Sequence, residues 1–198
     1  MPDSGHASVD GKIINKLKFS DLEKMRSKIS MVFQFGALFD SMSVYDNIDM
    51  PLEKMSSLSK NQRKERIFEV LKEVGMEGAH IKFPSELSGG MKKRVGIARA
   101  IAVRPKYILY DEPTTGLDPI MSHSINNLIS KLHTLESVTS IIVTHDMNTV
   151  FNVANKVIML NDGVIQFKGT PNELLSSKDQ VVQDFIRVDS NKKGKSYD

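Results

Sequence analysis

Three short stretches carry side chains suited to handling a nucleotide. Leu87-Ser88-Gly89-Gly90-Met91 reads as a turn opening a helix, where unsatisfied backbone N–H groups and the helix dipole suit a phosphate. Tyr107-Ile108-Leu109-Tyr110-Asp111-Glu112 is an apolar run ending in two carboxylates, the first suited to a metal shell and the second to taking a proton from water. Gly116-Leu117-Asp118-Pro119 then makes a turn, and His145 follows the apolar run Ile141 to Thr144. Singly, each has a plainer reading: a helix start, a solvated strand end, a surface or capping histidine. Together they are harder to set aside, because Gln34, Asp111 and His145 all fall at the carboxyl ends of predicted parallel strands, the edge where doubly wound sheets hold ligands.

The elements that must hold these groups can be read from periodicity. Ile29 to Gln34 predicts a short strand, followed by an unusually apolar loop, Phe35 to Ser41, and a weakly helical patch. Ile67, Val70, Leu71 and Val74 recur at helical spacing, with Ser59 available as N-cap and Gly75 as terminator. A helix from Ser88 to before Pro105 leads into a strand over Tyr107–Tyr110, apolar throughout and so expected to be covered on both faces. A third helix carries Ile125, Leu128, Ile129 and Leu132 and feeds a strand from Ser140 to Thr144. Asn161-Asp162-Gly163 turns Val157–Leu160 into Val164–Phe167, and Thr170-Pro171-Asn172-Glu173 has the form of a capping box. This succession predicts an α/β fold with a parallel sheet, right-handed crossovers and a small hairpin at the sheet's edge.

Bulk properties narrow the function classes. The 198 residues are 40% hydrophobic and 26% charged, the composition of an ordinary globular protein. Net charge is +3, with Lys and Arg interleaved with Glu, so no nucleic-acid partner is expected. There is no cysteine, which excludes disulfides and thiolate metal sites, and no apolar run approaches the roughly 20 residues of a membrane span.

Taken in order, the Gln34 loop, Leu87-Ser88-Gly89-Gly90, the strand ending Asp111-Glu112, Gly116-Leu117-Asp118-Pro119 and His145 resemble the motifs of the nucleotide-binding subunit of an ABC transporter. The resemblance covers nearly the whole chain, starting just after the family's phosphate loop, and implies a P-loop NTPase-like cassette with a helical signature subdomain. Within the family, the wording Val32 to Ser41, the signature with Met91 and the ending Gly169 to Leu175 are most similar to Mla-type ATPases, which energise phospholipid movement between bacterial membranes. The resemblance implies ATP and Mg²⁺ as cofactors. Asp111 would hold the Mg²⁺ shell, Glu112 would orient and deprotonate the attacking water, His145 would contact the γ-phosphate, and Gln34 would reach metal and water. Ser88, Gly89 and Gly90 would act in trans on the nucleotide of a second ATP-binding subunit, with Asp118 on the same dimer seam. An integral membrane permease is the other implied partner, docked by the loop Gly36 to Phe39 unless those residues serve local core packing. Lys92-Lys93-Arg94 reads equally as an exposed helix face or a nucleotide contact. The expected location is cytoplasmic, peripheral on the inner face of the membrane. An ATP-binding domain over residues 1–188 is expected, incomplete at its N-terminus, with a helical subdomain at about 42–104 and a disordered polar tail over 189–198.

The family's phosphate loop, Gly-x-x-x-x-Gly-Lys-Ser/Thr, is missing. Gly5 and Gly11-Lys12 are one residue too far apart and Ile13 replaces the hydroxyl residue, while Gly194-Lys195-Ser196 has Asp189 where the first glycine belongs. The expectation is therefore that these 198 residues alone are unstable and bind ATP weakly. A mis-called start, a decayed gene and a genuine short, non-hydrolysing subunit are the competing explanations.

Overall fold

A computed structural model of the chain describes residues 2–136 and 138–194. It divides into two compact units, Met1–Pro113 with Leu132–Val143, and Thr114–Lys131 with Thr144–Asp198.

The first unit opens with a hairpin of β1 (Ser8–Val9) and β2 (Lys12–Ile13), turned by Asp10 and Gly11, both at positive φ. Helix α1 (Phe19–Arg26) follows, then β3 (Ile29–Val32). The weakly helical patch forms a full helix, α2 (Val44–Met55), despite Pro51 inside it. Ser43 and Asp46 close a capping box at its start, which local polar pairing supplies where periodicity was faint. Helix α3 (Lys60–Glu73) has a second capping box from Ser59 and Gln62. Its end is a Schellman motif, with Met76 N–H donating to Leu71 O at 2.7 Å, Gly75 N–H to Lys72 O at 3.0 Å, and Gly75 at φ +67°. The stripe Ile67, Val70, Leu71 and Val74 is buried as the spacing predicts.

Helix α4 (Gly89–Ala102) is buried around most of its circumference, and it leads into β4 (Tyr107–Asp111). The loss of its terminal carbonyls' partners is made good from α3: Arg66, 5% exposed, donates to Ile101 O at 2.9 Å and Ala102 O at 3.2 Å. The arrangement is reciprocal, because Arg94 of α4 donates to Val74 O at the end of α3. Lys93 is buried as well, so the reading of Lys92-Lys93-Arg94 as an exposed face is corrected.

β4 is the middle strand of a parallel sheet, flanked by β3 and by β5 (Thr139–Val143), which is reached through α5 (Pro119–Glu136). Val32, Ile108 and Tyr110 are buried on one face. The other face is not closed as expected: Met31, Leu109 and Ile141 share a row, yet Met31 and Ile141 are exposed, and Val143 opposite Asp111 is 62% exposed. An apolar run thus marks strand composition without fixing what covers it.

The second unit contains the first part of α5, then α6 (Met147–Val153), β6 (Val157–Asn161) and β7 (Val164–Gly169). The hairpin does not extend the parallel sheet. Its strands pair antiparallel with each other as a separate two-stranded sheet, turned by Asp162 and Gly163 at positive φ. Helix α7 (Pro171–Leu175) starts on the predicted Thr170–Glu173 capping box. Met147, Leu174 and Val182 form this unit's core, packed by Val150, Val157, Met159, Phe167 and Ile186. Helix α8 (Gln180–Gly194) runs through 189–194, where a disordered tail was expected, and residues 195–198 lie outside those described. Among the described residues no helix is long and apolar enough to cross a membrane.

Candidate functional site

Parallel pairing delivers the two carboxylates to one strand end. Asp111 closes β4 opposite Val143, and Glu112 leaves the strand at φ +46°, a left-handed conformation costly for a non-glycine residue. Both backbone polar groups of Glu112 are held: its N–H donates to Val143 O at 2.9 Å, and the Lys93 ammonium donates to its carbonyl oxygen at 3.3 Å. Burial pushes Lys93 down to about 8, partly opposed by the Glu112 carboxylate.

Gln34 does not end β3. The strand stops at Val32, and Gln34 lies half-buried in a turn closed by Gly36 N–H donating to Phe33 O at 3.0 Å. That turn rests on α4. A Cβ on Gly36 would meet Lys92 O at 2.8 Å, and one on Gly96 would meet Gly36 Cα at 3.2 Å, so only glycine permits this approach of two backbones. Phe35 within the turn and Phe39 beyond it are exposed, so core packing does not account for these two side chains, whereas Gly36 is buried and Leu38 half-buried. The loop's far end is held by the fully buried Asn47, whose carbonyl oxygen accepts from Phe39 N–H at 2.8 Å and whose amide donates to the oxygens of Phe39, Met42 and Ser43.

Ser88 is the N-cap of α4, its hydroxyl accepting from Met91 N–H at 3.3 Å. Gly89 and Gly90 are the first two helical residues, whose N–H groups have no acceptor within a helix.

In the second unit Asp118 caps α5, its carboxylate accepting from Met121 N–H at 2.9 Å. His145 is exposed, between Thr144 and Asp146. Asp146 is the N-cap of α6 and the hub of a polar knot, accepting from Thr149 Oγ1 at 3.0 Å and Thr114 Oγ1 at 3.2 Å, while Thr149 Oγ1 also reaches Asn126 Oδ1 at 3.1 Å. Thr114, Asn126 and Thr149 are all buried, so the segment carrying His145 is tied through its neighbour to the turn leading to Asp118.

Comparison with known proteins decides the family. The model for the ABC transporter family matches residues 1–115, more than half of the chain. The chain belongs to the ABC transporter family. It is 38% identical to the intermembrane phospholipid transport system ATP-binding protein MlaF of Haemophilus influenzae, over 96% of this chain and 72% of that protein. It is 39% identical to the methionine import ATP-binding protein MetN 2 of Bacillus licheniformis, over 94% of this chain and 55% of that one. The chain thus spans little more than half the length of the latter. Among solved structures, CbiO1 from Clostridium perfringens, part of the ABC transporter complex CbiONQ, is similar at TM-score 0.80 and 30% identity over 97% of this chain and 77% of that one. A dimeric ATP-binding cassette in a post-hydrolysis state with ADP and Pi is similar at TM-score 0.76 and 33% identity over 86% of this chain and 75% of that one.

Asp111 and Glu112 at one strand end are carboxylates of the kind Mg²⁺ takes, while the sequence holds no phosphate loop for the nucleotide's phosphates. Magnesium takes one or two carboxylates and completes its shell with water and phosphate oxygens, so a dedicated protein cage is not required. Among the described residues no group of three or more His, Cys, Asp or Glu is placed to hold a metal alone. The contributions of Arg66 and the Thr114–Asp146–Thr149 knot, and the partner of Lys93, are not legible in the sequence, since each depends on a contact across many residues, whereas Asn47 bonds residues only four to eight positions away.

Proposed function

We propose that the chain forms the ATP-binding and hydrolysing part of an ABC transporter, energising phospholipid transport between bacterial membranes. The observation that carries the hydrolytic reading is the Asp111–Glu112 step at the end of a central parallel strand, with Glu112 in a fixed left-handed turn. Asp111 holds the metal, Glu112 accepts the proton of the attacking water, and Gln34 orients that water. Bound Mg²⁺ supplies charge neutralisation at the phosphate oxygens. Ser88, Gly89 and Gly90 donate to the nucleotide held by a second ATP-binding subunit, Asp118 lies on the seam between the two, and His145 donates to the γ-phosphate. The exposed Phe35 and Phe39 dock an integral membrane permease, which holds the subunit at the cytoplasmic face.

The phospholipid assignment is supported by the loop wording at Val32–Ser41 and by the similarity to the H. influenzae protein. A methionine-import reading is favoured by an identity of 39% to the Bacillus protein. Loss of the gene separates them: accumulation of misplaced outer-leaflet phospholipid with normal uptake of labelled methionine supports the first, and the reverse result rejects it. The 198 residues contain no phosphate loop, so by themselves they are proposed to be inactive. A non-hydrolysing accessory subunit or inactive fragment would follow if Glu112→Gln, introduced in the native assembly, left ATP turnover unaltered.

A further inference from the structure

Helix α4 reaches the Gln34 turn with one long side chain. Arg99 donates from Nη2 to Gly36 O and from Nη1 to Ala37 O, each at 2.8 Å. These carbonyls belong to consecutive residues at positive φ, +78° for Gly36 and +45° for Ala37. Ala37 has no glycine's freedom there, so the conformation needs an external hold. A guanidinium suits the task because its two N–H groups form a rigid fork, matched here to two neighbouring oxygens. The other side of the turn is already against α4, through Gly36 on the Lys92 carbonyl and Gly96 on Gly36.

We infer that Arg99 is a positioning residue for Gln34. The turn Phe33–Gly36 has Gln34 at its second position, so gripping the carbonyl of its last residue fixes the direction in which Gln34 leaves the backbone. The grip comes from the helix whose first turn is Ser88–Gly90, so Gln34 and that anion-binding end share one rigid support. Arg99 acts through the backbone carbonyls of Gly36 and Ala37. Its role in turnover rests on the hydrolytic reading above, whereas its hold on the turn does not.

The test is amide hydrogen exchange on the protein in its native assembly, with Arg99→Met and Arg99→Lys, read beside ATP turnover. In Arg99→Met the Gly36 amide should exchange about tenfold faster, as expected when charge-assisted bonds of this strength are lost. The Phe39 amide, held separately by Asn47, and the amides of α3 should keep their rates. Arg99→Lys, which keeps the charge but not the fork, should recover only part of the protection. In the same variants kcat should fall with KM nearly unchanged, matching the direction of Gln34→Ala. Equal acceleration at Gly36, Phe39 and α3, or none at Gly36, overturns the proposal. If Gln34→Ala lowers kcat and Arg99→Met does not, the proposal also falls; if Gln34→Ala itself changes nothing, the reading of Gln34 as a hydrolytic group fails instead. Should Arg99→Met not fold, Gly96→Ala supplies the same test by wedging the turn from beneath, and unchanged Gly36 exchange there counts against a rigid support.

Discussion

The Lys93 ammonium lies 3.3 Å from the carbonyl oxygen of Glu112, inside the protein rather than on its surface. Its folded pKa, about 8, is below the ordinary lysine value of 10.5. Between those values the unfolded chain binds a proton that the folded chain does not, so stability rises with pH across that window. The destabilising contribution is fully present below about pH 8 and is relieved as pH approaches 10.5, by on the order of 3 kcal/mol at most. Urea unfolding at pH 7.5 and pH 10 should show this rise in the native protein, and Lys93→Met should lack it. Parallel behaviour of the two proteins would mean that Lys93 titrates as an exposed lysine.

Removing the proposed base should separate binding from turnover. Glu112→Gln in the native assembly is expected to lower kcat by about 10²–10⁴-fold while nucleotide affinity stays within a few fold. Single-turnover kinetics with a nucleotide-binding assay reads both. A loss of affinity matching the loss of rate would place Glu112 in binding instead.

Arg66 should matter for stability well beyond its surface partners. Arg66→Ala removes the side-chain donor to Ala102 O and one of the donors to Ile101 O, which also accepts from Arg104 N–H, and strips Glu73 of a partner at 3.5 Å. The expected cost is about 1–3 kcal/mol in urea unfolding. Arg63→Ala, which loses a two-pronged pairing with Asp49 and a contact with the exposed Glu53 but leaves no helix-end carbonyl unserved, should cost clearly less.

The open row Met31–Ile141 and the exposed Val143 predict self-association of the 198-residue chain. Light scattering should show aggregates at micromolar concentration, and Ile141→Lys should reduce them. Titration calorimetry should find weak Mg-ATP binding. A monodisperse chain with a cooperative thermal transition and tight nucleotide binding would reject both expectations.

Much of this fold is legible where a signal is local. The α3 stripe, the Ser59 and Thr170 caps, the Asp162-Gly163 turn and the α4 start at Ser88 all rest on residues within a few positions of one another. The candidate site was readable for the same reason, as short motifs at strand and helix ends. What the sequence hides is contact across distance. Arg66 bonds carbonyls 35 and 36 residues away, Arg99 reaches back 62 and 63, and neither looks different from a solvated arginine in the string. The strand end before Gln34 was displaced by two residues because apolar character continues into Phe33 after sheet pairing has stopped. Pro51 obscured α2, since it breaks the periodic pattern without breaking the helix.

The reciprocal arginines of α3 and α4 bear on how the chain acquires its structure. Beyond the local Schellman bonds of α3 and the Arg104 N–H bond to Ile101 O, each helix end takes a further donor from the other helix, because Arg66 serves α4 and Arg94 serves α3. During synthesis, α3 therefore leaves the ribosome with its Schellman motif available but without the Arg94 bond to Val74 O, which waits for α4. The two helix ends should therefore gain their last hydrogen bonds together, when α3 and α4 pack, rather than one after the other.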